Sequence, residues 1–132
     1  MEKVEFIDLS SELHEDERGF SFYPLKGRVE DPASLPDIFH LVSIAPGQVR
    51  GNHLHPTRWE WLHLIHGTGA FRWEPEPGEI QEREVSGPRL LIRIPAGVAH
   101  SLRNSSQKPI YLLAWREGEL GGAKDTVPHN LG

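Results

Sequence analysis

The sequence predicts an all-β protein, a sandwich or barrel of about ten short strands. Short apolar stretches recur at intervals of roughly ten residues, and Gly, Pro, Asn or Ser bounds each of them. The 13 glycines and 11 prolines are scattered rather than clustered, as turns between short strands require. No segment has the long apolar period that an amphipathic helix would show.

The segments between the predicted strands are polar or rich in proline. Ser10–Arg18 is predicted as a loop or one helical turn, and Glu74–Glu84 as a solvated hairpin. Residues 28–37 contain Pro32 and Pro36, which exclude a long helix. The predicted strands are Val4–Leu9, Phe20–Pro24, Ile38–Ile44, Val49–His55, Trp59–His66, Ala70–Trp73, Ile80–Val85, Leu90–Ile94, His100–Arg103 and Ile110–Trp115. The expected core residues are Ile38, Leu41, Ile44, Leu62, Leu64, Leu91, Ile92, Ile94, Leu102, Leu112 and Leu113.

The length of 132 residues predicts a single domain, residues 1–132, with a Gly-rich tail over residues 118–132 that loops over the body or frays. Without cysteine there is no disulfide and no thiolate metal site, so a metal would need His and Asp or Glu ligands. The net charge of −5 and the lack of a basic patch argue against nucleic acid. No apolar run could span a membrane, and the N-terminus lacks a signal-peptide core, so we expect a cytoplasmic protein.

Three histidines and one glutamate have the spacing of a metal site. His53 and His55 are two apart, so on a strand both side chains point to the same face. Glu60 begins the next predicted strand, and His100 opens a later one directly after a Pro-Ala-Gly turn. Four ligands from three places on the chain would leave one or two metal positions open, as a catalytic ion needs. A His-x-His pair alone is more often surface decoration, and the added Glu60 and His100 favour the metal site.

These residues carry a resemblance to a known family. Gly47-x5-His53-x-His55-x4-Glu60-x6-Gly67 resembles the first cupin motif, and Pro95-x-Gly97-x2-His100-x3-Asn104 resembles the second. The resemblance implies a double-stranded β-helix, the jelly-roll cupin barrel, over nearly the whole chain. It also implies that His53, His55, Glu60 and His100 bind one divalent metal ion. Mixed imidazole and carboxylate ligands do not discriminate between Zn, Mn, Fe and Ni.

Two short segments resemble cupins that act on nucleotide-linked 4-keto sugars. Arg50-Gly51-Asn52-His53 is similar to an Arg-Gly-x-His segment of dTDP-4-dehydrorhamnose 3,5-epimerases, sugar 3,4-ketoisomerases and the C-terminal cupin of capsular polysaccharide reductases. Residues 16–20, Asp-Glu-Arg-Gly-Phe, resemble an N-terminal segment of the same epimerases. The resemblance implies that Arg50 contacts substrate and Arg18 a phosphate, roles that suit the guanidinium fork. The competing interpretation of Arg18-Gly19 is a surface turn.

The chain also departs from the epimerases and ketoisomerases, which generally lack the full metal set and use a His base with a Tyr acid. It resembles the metal-bearing capsular reductase cupin more closely. The unassigned histidines close by in sequence are His40, His63 and His66; His63 has strand parity opposite to Glu60, and His66 lies at the far end of its strand. The sequence therefore supplies no convincing general base.

The sequence also allows predictions about the four tryptophans, the oligomeric state and the possible functions. Trp59 and Trp61 could form a carbohydrate-stacking platform, but packing between sheets or across a dimer is favoured, and a homodimer is expected. Trp73 and Trp115 are expected in the core or the pocket wall. Three functions remain open: a metal cupin that isomerises or epimerises a sugar or nucleotide sugar, a metal-dependent oxygenase of a small organic substrate, and a non-catalytic binding module.

Overall fold

The computed structural model describes residues 2–29, 39–117 and 126–132. Within these ranges the chain forms twelve strands and no helix, and therefore no helix that could cross a membrane. The strands are β1 Glu5–Asp8, β2 His14–Asp16, β3 Gly19–Ser21, β4 His40–Ile44, β5 Val49–Leu54, β6 Glu60–His66, β7 Thr68–Glu76, β8 Glu79–Ser86, β9 Leu90–Ile94, β10 His100–Arg103, β11 Ile110–Arg116 and β12 Val127–Pro128.

Two five-stranded antiparallel sheets face each other. Their strand orders are β1-β9-β6-β11-β4 and β12-β5-β10-β7-β8, and β2 and β3 form a separate hairpin. Strands that are distant in sequence alternate as neighbours, which is the jelly-roll arrangement. This confirms the predicted all-β jelly-roll barrel, including the solvated hairpin that β7 and β8 form.

Two strands were missed by the sequence prediction. The polar stretch predicted as a loop or one helical turn contains β2, because Asp16 Oδ1 accepts the Arg18 N–H and closes a tight turn into β3. The predicted tail contains β12, which pairs with β5. Residues 118–125 of that tail lie outside the described residues, as do residues 30–38, with Pro32, Pro36 and Ile38 of the earlier predictions.

The main core lies between the two sheets. Leu62 and Leu64 face inward from β6, on the same side as Glu60, and join the apolar side chains Ile44, Phe71, Val85, Ile92, Ile94, Val98, Leu102, Ile110, Leu112 and Ala114. The prediction that Leu41 belongs to the core was wrong, because it is 68% exposed. Alternation along the edge strand β4 turns Val42 and Ile44 inward and therefore turns Leu41 outward.

A second apolar cluster covers the opposite face of the β6 sheet. Trp61 stacks on Trp115 with ring centroids 5.8 Å apart, and Leu9, Leu13 and Leu91 enclose the pair. The tryptophan pair is therefore buried by the chain's own N-terminal segment. Leu91 and Leu113 were both predicted in the barrel core; Leu91 belongs to this second cluster instead, and Leu113 packs against it.

His63 belongs to the same outer face. It is buried, its Nε2 atom lies 2.7 Å from the Pro88 carbonyl oxygen, and Phe22 meets it edge-on. Burial lowers the pKa of His63, so the ring is neutral at physiological pH. It points away from Glu60, as its parity predicts, but it is covered rather than exposed to solvent.

Asn104 joins two turns at one end of the barrel. Its side chain is fully buried, and its Nδ2 donates to the carbonyl oxygens of Ile44 and Lys108. Its Oδ1 accepts hydrogen bonds from the N–H and hydroxyl groups of Ser106. One amide therefore fixes the β4–β5 turn against the β10–β11 turn.

Replacing Asn104 should destabilise the barrel. In Asn104→Ala the two carbonyl oxygens lose their buried donor, so we expect the free energy of unfolding to fall by about 2–4 kcal/mol in chemical denaturation. Asn130→Ala is the matched control, because Asn130 makes only an exposed local hydrogen bond to Gly132 N–H among those described. A loss below about 1 kcal/mol in Asn104→Ala would contradict the assigned role.

Candidate metal centre

Four side chains converge inside the barrel from three places in the chain. His53 lies near the end of β5, and His55 is the first residue after that strand. Glu60 begins β6 and His100 begins β10. One ligand atom of each lies within 4.8 Å of all the others. His53 is half-buried and the other three are buried. The structure thus brings together the whole predicted ligand set.

The backbone of β5 is bent beside this cluster. Gly51 has a φ of +96° and Asn52 a φ of +55°, so two successive residues leave the extended conformation. A Cβ atom at Gly51 would lie 2.8 Å from the His100 carbonyl oxygen. The β5–β10 register shifts at the same point, between His100 and Ser101. Gly51 therefore allows β5 to approach β10 closely where His53 and His100 are neighbours.

The turn before β10 is attached to the ligand loop. The Gly97 N–H donates to the His55 carbonyl oxygen over 2.8 Å, and Gly97 has a φ of +83°. The Val98 carbonyl oxygen lies 3.1 Å from Nδ1 of His100. These contacts determine which way the imidazole of His100 faces.

The donor geometry is suited to a cation at the centre of the cluster. A carbonyl oxygen can only accept, so Nδ1 of His100 carries the proton that it donates to Val98. In a neutral ring Nε2 then presents a lone pair to Oε1 of Glu60, 2.9 Å away. Nε2 of His55 lies 3.1 Å from the other carboxylate oxygen. Such contacts are stable only with a proton or a metal ion between the atoms, and the donor set fits a divalent ion.

The protonation states also suit metal binding. The pKa of His53 is lowered to about 4, mainly by burial and then by the neighbouring His100. Burial by itself raises the pKa of the Glu60 carboxyl, but hydrogen bonds from His100 and His55, which form when a proton rather than a metal ion lies between the atoms, outweigh it and hold that pKa well below its usual range. At neutral pH His53 is neutral and Glu60 is an anion, which are the forms that bind metal ions.

A cavity of about 590 Å³ opens beside the ligand cluster. His53, Glu60 and His100 form part of its wall, together with Arg50 and His40. Arg50 donates from Nε to the Ser43 carbonyl oxygen over 2.9 Å, which holds its side chain against β4. The predicted substrate residue Arg50 therefore lines the same cavity as three of the four predicted ligands.

Arg116 is a site residue that the sequence analysis missed. It lines the cavity, and its Nε donates to Oε2 of Glu60 over 3.1 Å. The signal in the sequence is weak: Arg116 follows the apolar alternation of Leu112 and Ala114, which places it on the inward face of β11. Only the β6–β11 register, which pairs Arg116 with Glu60, reveals the contact.

The other predicted candidates lie apart from the cavity wall. Arg18 occupies the turn between β2 and β3, with its side chain 85% exposed and ion-paired to Asp16. Its predicted contact with a phosphate stays a prediction. His66 is exposed at the far end of β6, where Nδ1 lies 3.2 Å from the Pro109 carbonyl oxygen.

A jelly-roll barrel with a His and Glu cluster at its centre defines the cupin class. Within that class, the chain belongs to the family of polysaccharide biosynthesis C-terminal domains, whose model matches residues 14–125. Among curated protein sequences, none matches this chain.

Several solved structures are similar. The capsular polysaccharide assembling protein CapF of Staphylococcus aureus is 27% identical with a TM-score of 0.63, over 70% of this chain and 28% of CapF. The sugar 3,4-ketoisomerase QdtA of Thermoanaerobacterium thermosaccharolyticum, in complex with TDP, is 19% identical with a TM-score of 0.70, over 94% of this chain and 86% of QdtA. A 3,4-ketoisomerase of Helicobacter canadensis is 14% identical with a TM-score of 0.72, over 96% and 91% of the chains. The ketoisomerases show the shared fold, and this chain spans about 28% of the length of CapF.

The metal centre can be tested by removing two ligands. His53→Ala combined with His55→Ala should reduce bound metal, measured by elemental analysis after dialysis, by at least about tenfold, because the remaining ligands cannot close around an ion. Circular dichroism should report an unchanged barrel. His66→Ala, which alters an exposed imidazole away from the cluster, is the matched control. Full metal occupancy in the double variant would refute the four-ligand site.

Proposed function

We propose that this protein is a metal-dependent cupin enzyme that isomerises or epimerises a nucleotide-linked keto sugar in polysaccharide biosynthesis. The observation that carries the proposal is the composition of one cavity. Its wall combines residues of the candidate metal cluster with Arg50, Arg116 and a histidine outside the cluster, His40. Family membership supports the link to polysaccharide biosynthesis.

The charge of the cavity favours an anionic substrate. Among the described residues of its wall the acidic one is Glu60, whereas Arg50 and Arg116 each contribute a positive charge. A divalent ion on the ligand cluster would make the cavity strongly positive. Guanidinium groups match phosphate oxygens well, and the solved QdtA structure contains TDP. A nucleoside diphosphate attached to the sugar would supply the complementary charge.

The cavity also provides what proton transfer next to a keto group requires. A divalent ion held by His53, His55, Glu60 and His100 would polarise a keto oxygen and make the neighbouring C–H more acidic. A base must then take the proton and return it. As the C–H bond breaks, its electron pair moves to the enolate oxygen, and reprotonation at carbon restores the keto group.

His40 is our candidate for that base. Alternation along β4 gives His40 the inward parity of Val42 and Ile44, and in the register it is opposite Ala114 of β11. Arg116 follows two residues later, so His40 and Arg116 are diagonal neighbours whose Cα atoms are roughly 7–8 Å apart in such a sheet. A sugar placed against the ligand cluster would therefore lie between His40 and Glu60.

Ligand binding and solvent exchange test this function. With metal-loaded protein, a UDP- or dTDP-linked 4-keto sugar should raise the melting temperature, and in D₂O the sugar should gain deuterium at C3, measured by mass spectrometry and NMR. His40→Gln should slow this exchange by about 100-fold or more, because the base is lost, while metal content and the thermal shift persist. His66→Gln is the control histidine.

Each other outcome has a distinct meaning. The absence of stabilisation by any of these nucleotide sugars would overturn the proposed substrate class. Stabilisation without exchange would favour a non-catalytic binding module, and iron-dependent oxygen consumption would favour the oxygenase. Undiminished exchange in His40→Gln would remove His40 from the mechanism.

The predicted homodimer stays a prediction, for which the exposed side chains Leu41 and Tyr111 offer an apolar contact surface.

A further inference from the structure

The C-terminal residues 126–132 return to the ligand-bearing strand. Strand β12 pairs with β5, with Val127 opposite Leu54 and Pro128 opposite His53. The residue before β12, Thr126, places its Oγ1 3.3 Å from Nδ1 of His55. A hydroxyl 71 positions further along the chain thus meets the ring of a candidate metal ligand.

The C-terminal segment is held in place by hydrogen bonds to both the backbone and the side chain of Asn52. The His129 N–H donates to the Asn52 carbonyl oxygen over 2.8 Å, and the Leu131 N–H donates to Oδ1 of Asn52 over 3.0 Å. The Leu131 side chain is buried, and its carbonyl oxygen accepts from Arg72 over 3.2 Å. The bent part of β5 beside the ligands is therefore the anchor of the C-terminal segment.

The His129 side chain adds a contact with a carboxylate to this attachment. Its Nε2 lies 3.1 Å from a carboxylate oxygen of Glu74 on β7. Hydrogen bonds to β5 and a contact to β7 fix the position of residues 129–131. Because β12 lies between this anchor and Thr126, the anchor limits how far the Thr126 hydroxyl can move from His55.

The contact has a chemical consequence for His55. Nε2 of this ring faces Glu60 at 3.1 Å, so Nε2 is the nitrogen that would bind a metal ion. It can do so only when the proton resides on Nδ1, which then needs an acceptor. The Thr126 hydroxyl supplies one. For His100 the same requirement is met by the Val98 carbonyl oxygen, so both buried histidines of the ligand cluster have an Nδ1 partner.

We propose that Thr126 is a positioning residue of the metal centre. Its hydroxyl holds the His55 ring with Nε2 toward the ion, and the pairing of strand β12 with β5 places that hydroxyl beside the ring. This inference rests on the proposed metal site. Groups that hydrogen-bond to the second nitrogen of a ligating histidine fix its tautomer and orientation and raise metal affinity, and their loss typically costs 10–100-fold. The C-terminal segment is then part of the site rather than a tail.

Metal titration of three full-length variants tests the role of Thr126. Thr126→Val keeps the shape but loses the hydroxyl, so its dissociation constant for Zn²⁺, measured by chelator competition, should rise about 10–100-fold. Thr126→Ser keeps the hydroxyl and should restore the affinity. Thr68→Val is the matched control, because the Thr68 hydroxyl bonds to Ser86 at an exposed position on β7 and β8.

A second readout separates positioning from simple stability. In the Zn²⁺-loaded wild-type chain, the His55 Nδ1 proton should be visible by NMR and slow to exchange, and Thr126→Val should make it exchange faster. Melting temperatures of the metal-free variants report any loss of fold. Wild-type affinity and exchange in Thr126→Val would overturn this inference alone. Failure of the wild-type chain to bind metal would overturn the metal site and this role with it.

Discussion

The buried carboxylate of Glu60 is the constraint on which the centre of this barrel depends. An ionised carboxylate is costly to bury unless charged or hydrogen-bonding partners surround it. Glu60 is only 4% exposed, and its partners are His55, His100 and Arg116. They come from a loop and from two strands that are distant in sequence. The fold therefore has to hold several remote segments in place to keep one charge in the interior.

The unusual local features of the chain serve this requirement. Gly51 lets β5 approach β10 without a clash at the His100 carbonyl oxygen, and the Gly97 turn bonds back to His55. Asn104 fixes the β4–β5 turn, in which Gly47 follows a proline, against the β10–β11 turn at the same end of the barrel. The same rigidity would let the ligands bind an ion without rearrangement, since pre-positioned ligands lose little conformational freedom on binding.

The sequence predicted those site residues whose spacing along the chain is short and regular, and it missed those whose contacts depend on the pairing of distant strands. His53, His55 and Glu60 lie close together in the chain, at the end of β5 and the start of β6, and the short Pro-Ala-Gly turn before His100 indicated the fourth ligand. Arg116 was missed because its contact depends on the register between β11 and β6, which no short-range pattern encodes. Leu41 was assigned to the core because an edge strand looks apolar in sequence, whereas its exposed face shows only in the sheet.

X-ray absorption spectroscopy of the metal-loaded protein tests the central claim most directly. The four-residue centre predicts a shell of nitrogen and oxygen scatterers at about 2.0–2.2 Å, with the multiple-scattering pattern of several imidazoles beyond it. That pattern should be fitted by the three histidines of the cluster. A shell of oxygen atoms without imidazole scattering would show that the ion binds elsewhere and would contradict the account.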